Sequence, residues 1–473
     1  MDAALRATVE SVLAALPASL EMPAGTGKTH IVAGLAAVAS ETDGRVLILT
    51  HTHAGVDAIR RRLKTFGVPP KQVWVDTITG WAFDLVRAYP KVAGVEVPAT
   101  PDWTKSSNYI AGAVRVAQSQ AIRAMHAASF DYLIVDEYQD CNTGQHDLVL
   151  ALISGIPKAC VSGDRLQGIF AFGGQVLVDW DQHVFPNFPA FELEHVAHRW
   201  AGHNEPLGAW LLGIRPALLA GSTVDIAAAA VSGLQLILPG QSSITSAALA
   251  AFPPGETVLV LGQWAPELDE LASKLNGEFT VMEELQGKTM ANWLTRFDGA
   301  AEEHYAALIA RYAKDCFVGL AGIDQPVMKK LMDGAPVAHL QRDGIADILT
   351  ALDVVTAERT RESVLDAMAV IKANAVTRLY KREAWFDARK AISRSLTGEL
   401  TCVEALGQIR DAMRRSGRPA ESHIVSRTLL VKGLEYDHVI IADARLQSSE
   451  HLYVALTRGR KSLTVFHPTG MVG

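Results

Sequence analysis

Eight consecutive residues decide the fold of this chain: Met22-Pro23-Ala24-Gly25-Thr26-Gly27-Lys28-Thr29. A short strand-like run, Ala18–Glu21, precedes them, and residues 30–38 follow with helical spacing. A strand, a glycine loop and the start of a helix are the setting of a phosphate-binding loop. Its glycines present backbone N–H groups to phosphate oxygens, and the helix dipole favours the anion. The stretch therefore predicts a nucleoside triphosphate site, although Met22 stands where the motif usually has its first glycine.

The side chains and the backbone of this loop have separate predicted roles. Lys28 is expected to contact the β- and γ-phosphates, and the Thr29 hydroxyl is expected to bind Mg²⁺. The predicted nucleotide-binding residues are Ala24, Gly25, Thr26, Gly27, Lys28, Thr29 and His30. The alternative, a glycine turn followed by a chance Lys-Thr pair, is disfavoured by the strand before the loop and the helix after it.

The composition is that of a globular protein with several folding units. The chain has 473 residues, of which 49% are hydrophobic and 20% are charged, and its net charge is −7. A protein that is basic throughout is thereby excluded, so DNA would have to bind in a local groove. No apolar run is long enough to span a membrane, and the four cysteines are widely spaced, which predicts a cytoplasmic protein with reduced thiols.

Strand-like runs alternate with helix-like segments, which predicts an α/β fold with parallel sheets. In the first part of the chain, a helix is predicted over residues 2–16 and strands at 18–21, 45–50, 73–77, 130–135, 159–162 and 191–193. In the second part, strands are predicted at 256–262, 439–442 and 462–466. Functional residues are expected at the carboxyl ends of such strands.

Breaks in this alternation predict two lobes, each with an insertion. The assigned segments are a first lobe at 1–204 with a short insertion at 82–128, a connection at 205–250, a second lobe at 251–297 and 421–473, and a helical insertion at 298–420. Within the helical insertion, residues 372–418 contain eleven Lys and Arg against five Asp and Glu, together with Tyr380, Trp385 and Phe386. This part is either a contact for duplex DNA or a solvated helical face with ion pairs.

Asp136 and Glu137 follow an apolar strand and are the natural partners of the phosphate loop. Asp136 can hold Mg²⁺, and Glu137 can polarise the attacking water. The pair could instead cap the next helix, but the preceding phosphate loop favours the catalytic interpretation. Gln139 and Gln167 could hydrogen-bond the γ-phosphate or its water, although either glutamine taken alone is better interpreted as a surface residue.

Two arginines are candidates for stabilising the transition state of phosphoryl transfer. This transition state spreads negative charge that a phosphate loop and one metal ion do not fully cover, and arginines commonly supply the rest. Arg199 follows a predicted strand of the first lobe, and Arg458 lies in the second predicted lobe, so we expect them on opposite walls of a cleft between the lobes. A surface salt bridge is the alternative for each arginine taken singly.

The ordered motifs resemble those of the superfamily 1A DNA helicases of the UvrD/Rep/PcrA type. The matching segments are 24–29, 50–54, 77–80, Asp136-Glu137-Tyr138-Gln139-Asp140, 163–170, Arg199, Lys432-Gly433-Leu434-Glu435-Tyr436 and 453–458. The resemblance implies two RecA-like lobes that close on ATP, with Mg²⁺ as the second cofactor. It implies that the ATPase residues are Lys28, Thr29, Asp136, Glu137, Gln167, Arg199 and Arg458, and that Gly433 and Glu435 contact the nucleotide.

The resemblance also implies a path for single-stranded DNA across both lobes. Its expected contacts are Thr50, His51, His53, Thr77, Thr79, Phe170 and Phe172. Aromatic rings can stack on bases without sequence preference, and hydroxyls can position phosphates. The sequence departs from the family mainly here, because Thr79 replaces a histidine and Gly173-Gly174 replace an arginine. A Thr-x-His is likewise replaced by 427–429, and no adenine-reading glutamine precedes the loop.

The sequence therefore predicts an ATP-dependent translocase on single-stranded DNA and a 3′-to-5′ DNA helicase, with the polarity implied by the resemblance. A second hypothesis is a DNA-regulated ATPase subunit beside a nuclease of the OLD-family type. Compact relatives of this family work in this way in antiphage defence, for example the helicase-like subunit of Gabija. A third, a module that uses ATP only to switch shape, is disfavoured because Glu137 and both arginines are present.

Overall fold

The computed structural model describes the whole chain except residues 98–104, 171–175, 285–286, 417, 419–420 and 446. Contacts divide it into two compact units. The first unit comprises Met1–Gly233, Gln447–Lys461 and Met471–Gly473, and the second comprises Leu234–Leu446 and Ser462–Gly470. Among the described residues, no helix has the length and apolar composition needed to cross a membrane.

The first unit is built on a five-stranded parallel sheet. Its strands are β1 (Ala18–Glu21), β2 (Val46–Thr50), β3 (Val73–Thr77), β4 (Tyr132–Val135) and β5 (Lys158–Gly163), in the spatial order β1-β5-β4-β2-β3. The first helices are α1 (Ala3–Ala14), α2 (Lys28–Glu41), α3 (His53–Thr65), α4 (Ile78–Ala88), α5 (Pro90–Ala93), α6 (Ser106–Gln118), α7 (Gln120–Ser129) and α8 (Thr143–Ile153). The predicted parallel α/β sheet is confirmed.

Helices cover both faces of this sheet, which explains why the inner strands β2 and β4 are nearly continuous apolar runs. One core packs α1, α2 and α3 against the sheet, and a second core packs α4, α6 and α8 against the other face. Every residue of β2 is buried. The short piece predicted as a strand at 191–193 is not one, because only Ala190 makes a single bridge to Ser19 beside β1.

The second unit contains a six-stranded sheet and a helical insertion. After α9 (Glu205–Gly213), α10 (Arg215–Leu219) and β6 (Val224–Asp225) of the first unit, the chain forms β7 (Leu234–Ile237), α11 (Ile244–Ala248), β8 (Val258–Gly262), α12 (Ala265–Lys274) and β9 (Thr280–Val281). The insertion contains α13 (Lys288–Asp298), α14 (Tyr305–Cys316), β10 (Phe317–Val318), α15 (Gln325–Met332), α16 (Ala346–Glu358), α17 (Arg361–Ala373), β11 (Arg378–Leu379), α18 (Arg382–Ser395) and α19 (Cys402–Ser416). The chain ends with β12 (His423–Arg427), β13 (Tyr436–Ile441), α20 (Ser449–Leu456), β14 (Gly459–Phe466) and β15 (Met471–Val472).

The second sheet has the order β7-β14-β13-β8-β12-β9, and the pairs β7–β14, β13–β8, β8–β12 and β12–β9 are parallel. Sequence analysis identified β8, β13 and β14 but placed the first strand of this sheet at 256–262. In the structure β7 comes earlier, inside the segment assigned to a connection. The β9 and β12 strands were not predicted, because β9 has two residues and β12 mixes apolar residues with His, Ser and Arg.

The helices α13 to α19 share one apolar core. The helix α13 contributes Met290, Leu294 and Phe297 to it, one helix earlier than the predicted boundary at residue 298. Trp385, which the sequence offered as a possible DNA contact, is fully buried in this core, and Tyr380 is buried as well. These aromatic residues are therefore packing residues.

The chain returns to the first unit at residues 447–461. The helix α20 packs against α10 and against the turn Arg165–Gln167. Arg458 accordingly lies in the first unit together with Arg199, which corrects the expectation that the two arginines lie on opposite lobes. The physical reason is that α20 carries the apolar run Leu452 to Leu456, whose residues are buried. Burying this run draws α20 and the following Arg458 into the first unit.

Candidate nucleotide site and nucleic-acid cleft

The phosphate loop lies between β1 and α2, as the sequence predicted. Gly25 and Gly27 have positive φ angles of 74° and 88°, which side chains rarely tolerate. A Cβ at Gly25 would also lie 2.7 Å from Cβ of Arg199 and from the Trp200 ring. The Arg199 N–H donates to the Gly25 carbonyl at 3.0 Å, so the loop is built against the segment that carries Arg199.

Lys28 and Glu137 form an ion pair at the start of α2. The Lys28 ammonium lies 3.0 Å from Oε2 of Glu137, and the Gln139 amide donates to the same oxygen. Burial lowers the pKa of Lys28, but the carboxylates of Glu137, Asp136 and Asp164 outweigh it and raise the pKa overall. Lys28 is therefore charged and can bind phosphate.

Glu137 also has an unusual backbone conformation, with φ at 56° and ψ at 42°. For a residue with a side chain, this left-handed region costs energy and is found where function over-determines the backbone. The turn directs the Glu137 carboxylate toward Lys28 instead of along the strand.

Asp136 follows β4 and is 3% exposed. Its Oδ1 accepts hydrogen bonds from the Glu137 N–H at 2.9 Å and from the Ser162 hydroxyl at 3.3 Å. Burial, and then the charge of Glu137, raise the pKa of Asp136 to about 6. These charges make the pocket attractive to a cation.

The oxygen groups near Lys28 suit Mg²⁺, because carboxylates and hydroxyls are the ligands this ion takes beside phosphate. Asp136 and the Thr29 hydroxyl at the start of α2 would hold it, and two adjacent carboxylates against one ammonium leave a negative surplus. When bound, Mg²⁺ supplies positive charge that neutralises the phosphates.

Gln167 and Arg458 meet next to the phosphate loop. The Gln167 amide donates to Oδ2 of Asp164 at 2.7 Å, and Nη2 of Arg458 lies 3.5 Å from Oε1 of Gln167. Arg458 is 1% exposed, and its Nε donates to the Val454 carbonyl at 2.9 Å. Arg199 donates to the Thr457 carbonyl at 2.6 Å, so both predicted arginines converge on the same segment.

Sequence reasoning missed Arg215, which lies in the segment assigned to a connection. Its guanidinium donates to Asp164 at 2.6 Å and to Glu21 at 2.8 Å, and it is 6% exposed. It also lies 5.2 Å from the centre of the Tyr453 ring, whose hydroxyl accepts the Ala24 N–H at 3.2 Å. The one sequence signal was an isolated arginine in an apolar stretch.

A cleft of about 810 Å³ opens at the carboxyl ends of β2 and β3. Its lining includes three of the predicted DNA contacts, His51, Thr79 and Phe170. The other walls come from the short insertion and the start of α8, through Ser106, Ser107, Ile110, Ala111, Val114, Arg115, Asn142, Thr143 and Gln145. The structure thus brings together residues that are far apart in the sequence.

The remaining predicted DNA contacts lie elsewhere. Thr50 is fully buried, and the Thr77 hydroxyl accepts the Gly80 N–H at 3.0 Å, which caps α4. His53 is exposed at the start of α3. Phe172 lies outside the described residues. The Thr77 hydroxyl therefore caps the start of α4, and Thr50 is packed inside the sheet.

Gly433 and Glu435 lie before β13 of the second unit and are exposed. Their contact with nucleotide stays a prediction.

Several cations of the basic stretch 372–418 are paired with acids in the structure. Ion pairs join Arg410 to Glu383 and Asp387, Arg418 to Glu383, Lys381 to Asp269, and Arg382 to Glu421. This pairing favours the ion-paired helical face over the DNA-duplex contact.

Comparison with known proteins gives a class for part of the first unit. Residues 108–177 match the family described as UvrD/REP helicase N-terminal domain. This span contains the candidate site residues Asp136, Glu137 and Gln167. No curated protein matches the sequence.

Two solved helicase structures are similar over most of this chain at low identity. The helicase of PRRSV is 13% identical, with 98% of this chain and 54% of that chain covered and a TM-score of 0.33. An arterivirus nonstructural protein 10, a helicase, is 12% identical, with 97% and 61% covered and a TM-score of 0.34. This chain thus spans less than two thirds of either protein, and the functional argument rests on the site itself.

Proposed function

We propose that this protein is an ATP- and Mg²⁺-dependent motor that moves along single-stranded DNA in the 3′-to-5′ direction and unwinds duplex DNA. The strongest support is the convergence of charged groups on one phosphate loop. Lys28 is paired with Glu137 at 3.0 Å, and Arg458 lies within 3.5 Å of Gln167. The similarity of residues 108–177 to UvrD/REP helicases supports the same class.

Each residue has a defined part in the proposed hydrolysis. Lys28 binds the β- and γ-phosphates, and the Glu137 carboxylate orients and deprotonates the attacking water. Gln167 hydrogen-bonds the γ-phosphate, and Arg199 and Arg458 stabilise the charge that develops on it. Because Glu137 is paired with Lys28, γ-phosphate binding at Lys28 would release its carboxylate to the water.

The cleft is the proposed contact for the DNA strand in the first unit. Phe170 supplies a ring on which a base can stack, a contact that does not depend on sequence. His51 and Thr79 offer polar groups to the backbone. The cleft lies beside the proposed catalytic residues, since β2 ends at the cleft and pairs with β4, which ends just before Asp136.

Substitution of Glu137 tests the catalytic part. We expect Glu137→Gln to abolish DNA-stimulated ATP hydrolysis while keeping the affinity for ATP, measured by phosphate release and by titration with a fluorescent ATP analogue. Glu194→Gln, at an exposed position, is the matched control. Unchanged hydrolysis in Glu137→Gln would show that the catalytic assignment is wrong.

Strand displacement tests the motor part. Duplexes with a 3′ or a 5′ single-stranded tail are incubated with ATP, and displacement is expected from the 3′-tailed duplex. Robust hydrolysis with no displacement from either duplex would instead support a DNA-regulated ATPase subunit that works beside a nuclease. Stimulation by single-stranded RNA equal to that by DNA would overturn the assignment of DNA as the preferred strand.

A further inference from the structure

We propose that Arg215 is a positioning residue that orients the Gln167 amide between Asp164 and Arg458 by holding Asp164 in place. This inference rests on the proposed ATPase function. Arg215 lies at the start of α10, outside every motif that the sequence singled out.

Arg215 bridges two carboxylates at the ends of neighbouring strands. Its Nη1 donates to Oδ1 of Asp164 at 2.6 Å, and its Nη2 donates to Oε1 of Glu21 at 2.8 Å. Glu21 ends β1 just before the phosphate loop, and Asp164 follows β5, which pairs with β1. A planar guanidinium can serve both acceptors at once, whereas a lysine ammonium cannot match this fork.

Asp164 passes this constraint to Gln167. Asp164 is fully buried, and its second oxygen accepts the Gln167 amide N–H at 2.7 Å. An amide has its donor and its acceptor on opposite corners, so fixing the nitrogen fixes the direction of the oxygen. The oxygen accordingly faces Arg458 at 3.5 Å. Without Arg215, Asp164 would be a buried charge lacking its closest cation, and the Gln167 amide could rotate.

Arg215 also contacts the helix that leads to Arg458. Its guanidinium lies 5.2 Å from the centre of the Tyr453 ring, and the Tyr453 hydroxyl accepts the Ala24 N–H of the phosphate loop at 3.2 Å. The α10 helix packs against α20 and against the turn at 165–167. Three segments of the proposed site therefore meet at one side chain.

A conservative substitution separates positioning from folding. In Arg215→Lys the charge is kept but the two-carboxylate fork is lost, so we expect kcat for DNA-stimulated ATP hydrolysis to fall about ten- to a hundredfold, a size typical of small misplacements in an active site. The affinity for a non-hydrolysable ATP analogue is expected to stay within about threefold, because the phosphate loop and Lys28 are unchanged.

Arg410→Lys is the matched control. Arg410 is also a buried arginine between two carboxylates, with Nη1 3.1 Å from Glu383 and Nε 3.2 Å from Asp387, but it lies in the helical insertion. The Arg410→Lys substitution is expected to lower the melting temperature without lowering kcat of the folded protein. If Arg215→Lys behaves like this control, Arg215 has a structural role only and the inference is overturned.

A double-mutant cycle tests whether Arg215 acts through Gln167. If it does, Arg215→Lys combined with Gln167→Ala hydrolyses ATP no more slowly than Gln167→Ala alone. If the double variant instead loses kcat by the product of the two single losses, the inference is overturned. The failures of the two proposals can be told apart. If Glu137→Gln is fully active, the catalytic assignment is wrong. If Glu137→Gln is inactive but the losses of kcat in Arg215→Lys and Gln167→Ala multiply in the double variant, only the role of Arg215 is refuted.

Discussion

The candidate nucleotide site and the proposed nucleic-acid cleft both lie at the carboxyl ends of the first sheet, but they are built from different kinds of side chain. The candidate nucleotide site consists of paired charges, which are partly buried in Lys28–Glu137 and buried in Asp164–Arg215. The cleft is lined mostly by neutral polar and apolar side chains, and the charged residues among its described lining are Arg115, Asp140 and Asp147. Phosphoryl transfer needs fixed charges at fixed distances, whereas strand binding needs a path of suitable shape.

This difference has an electrostatic consequence. Of the charged lining residues, two are carboxylates, and the guanidinium of Arg115 already donates to the Ala93 carbonyl. The described lining therefore offers little positive charge to a phosphate backbone, and base stacking on Phe170 should contribute more of the binding energy at this cleft. Four predictions test the contrast, from the largest expected effect to the smallest.

Removing Arg458 should affect hydrolysis alone. We expect Arg458→Ala to lower kcat by about 10³-fold, because an arginine that stabilises the transition-state charge contributes at least this much. Binding of single-stranded DNA should stay unchanged in fluorescence anisotropy. Arg445→Ala, which removes an exposed partner of Asp443, is the control. A parallel loss of DNA binding in Arg458→Ala would break the separation between site and cleft.

Neutralising Asp136 should stabilise the protein while it inactivates it. The pKa of Asp136 is raised to about 6, so between about pH 4 and pH 6 the folded state holds a proton that the unfolded state has lost. The wild type therefore loses stability as the pH rises from about 4 to about 6. Asp136→Asn is expected to be about 2–3 kcal/mol more stable at pH 7 and about equal at pH 4, since one pKa unit corresponds to about 1.4 kcal/mol.

Urea unfolding in the presence of EDTA measures this difference, because metal binding to the wild type is then excluded. Equal free energies of unfolding for both proteins at pH 7 would mean that ionised Asp136 does not destabilise the folded state. The candidate nucleotide site would then hold its charges at no greater cost in stability than the cleft.

Removing the ring of Phe170 should affect DNA binding alone. Phe170→Ala is expected to weaken single-stranded DNA binding about tenfold, since stacking on one aromatic ring contributes about 1–3 kcal/mol. Phe170→Tyr keeps the ring and should bind as the wild type does. ATP hydrolysis without DNA should be equal in all three proteins, and a loss of it in Phe170→Ala would contradict the proposed division of labour.

The smallest expected effect concerns Arg115. Because its guanidinium is already used by the Ala93 carbonyl, Arg115→Gln should change the slope of log Kd against log salt by less than about 0.7, the value for one phosphate contact on a single strand. A change of that size or more would show that Arg115 neutralises a phosphate and that the cleft is more like an ordinary basic groove.

The same contrast explains what could be predicted from the sequence. Strands with unbroken apolar runs, such as β2 and β4, were recognised because both faces of their sheet are covered. Asp136 and Lys28 could be predicted to lie in one region because strand ends and glycine loops have fixed spacing. The β12 strand was missed because only Ile424 and Val425 are apolar in it.

Arg215 and the cleft walls could not be found in this way. Arg215 reaches Glu21 and Asp164 only after α10 folds back on the sheet, and no local pattern encodes that contact. Thr77 shows the converse, since a hydroxyl at a strand end fits the motif equally well whether it faces a ligand or caps a helix.

The return of residues 447–461 to the first unit sets the order in which the site is completed during synthesis. When a ribosome has delivered residues 1–233, the nascent chain already has the phosphate loop, Asp136 and Gln167. It still lacks Tyr453 and Arg458, which emerge only after nearly all of the second unit. A first unit that folds on the ribosome therefore has the candidate phosphate loop but lacks Arg458, so the proposed hydrolysis would require nearly the whole chain.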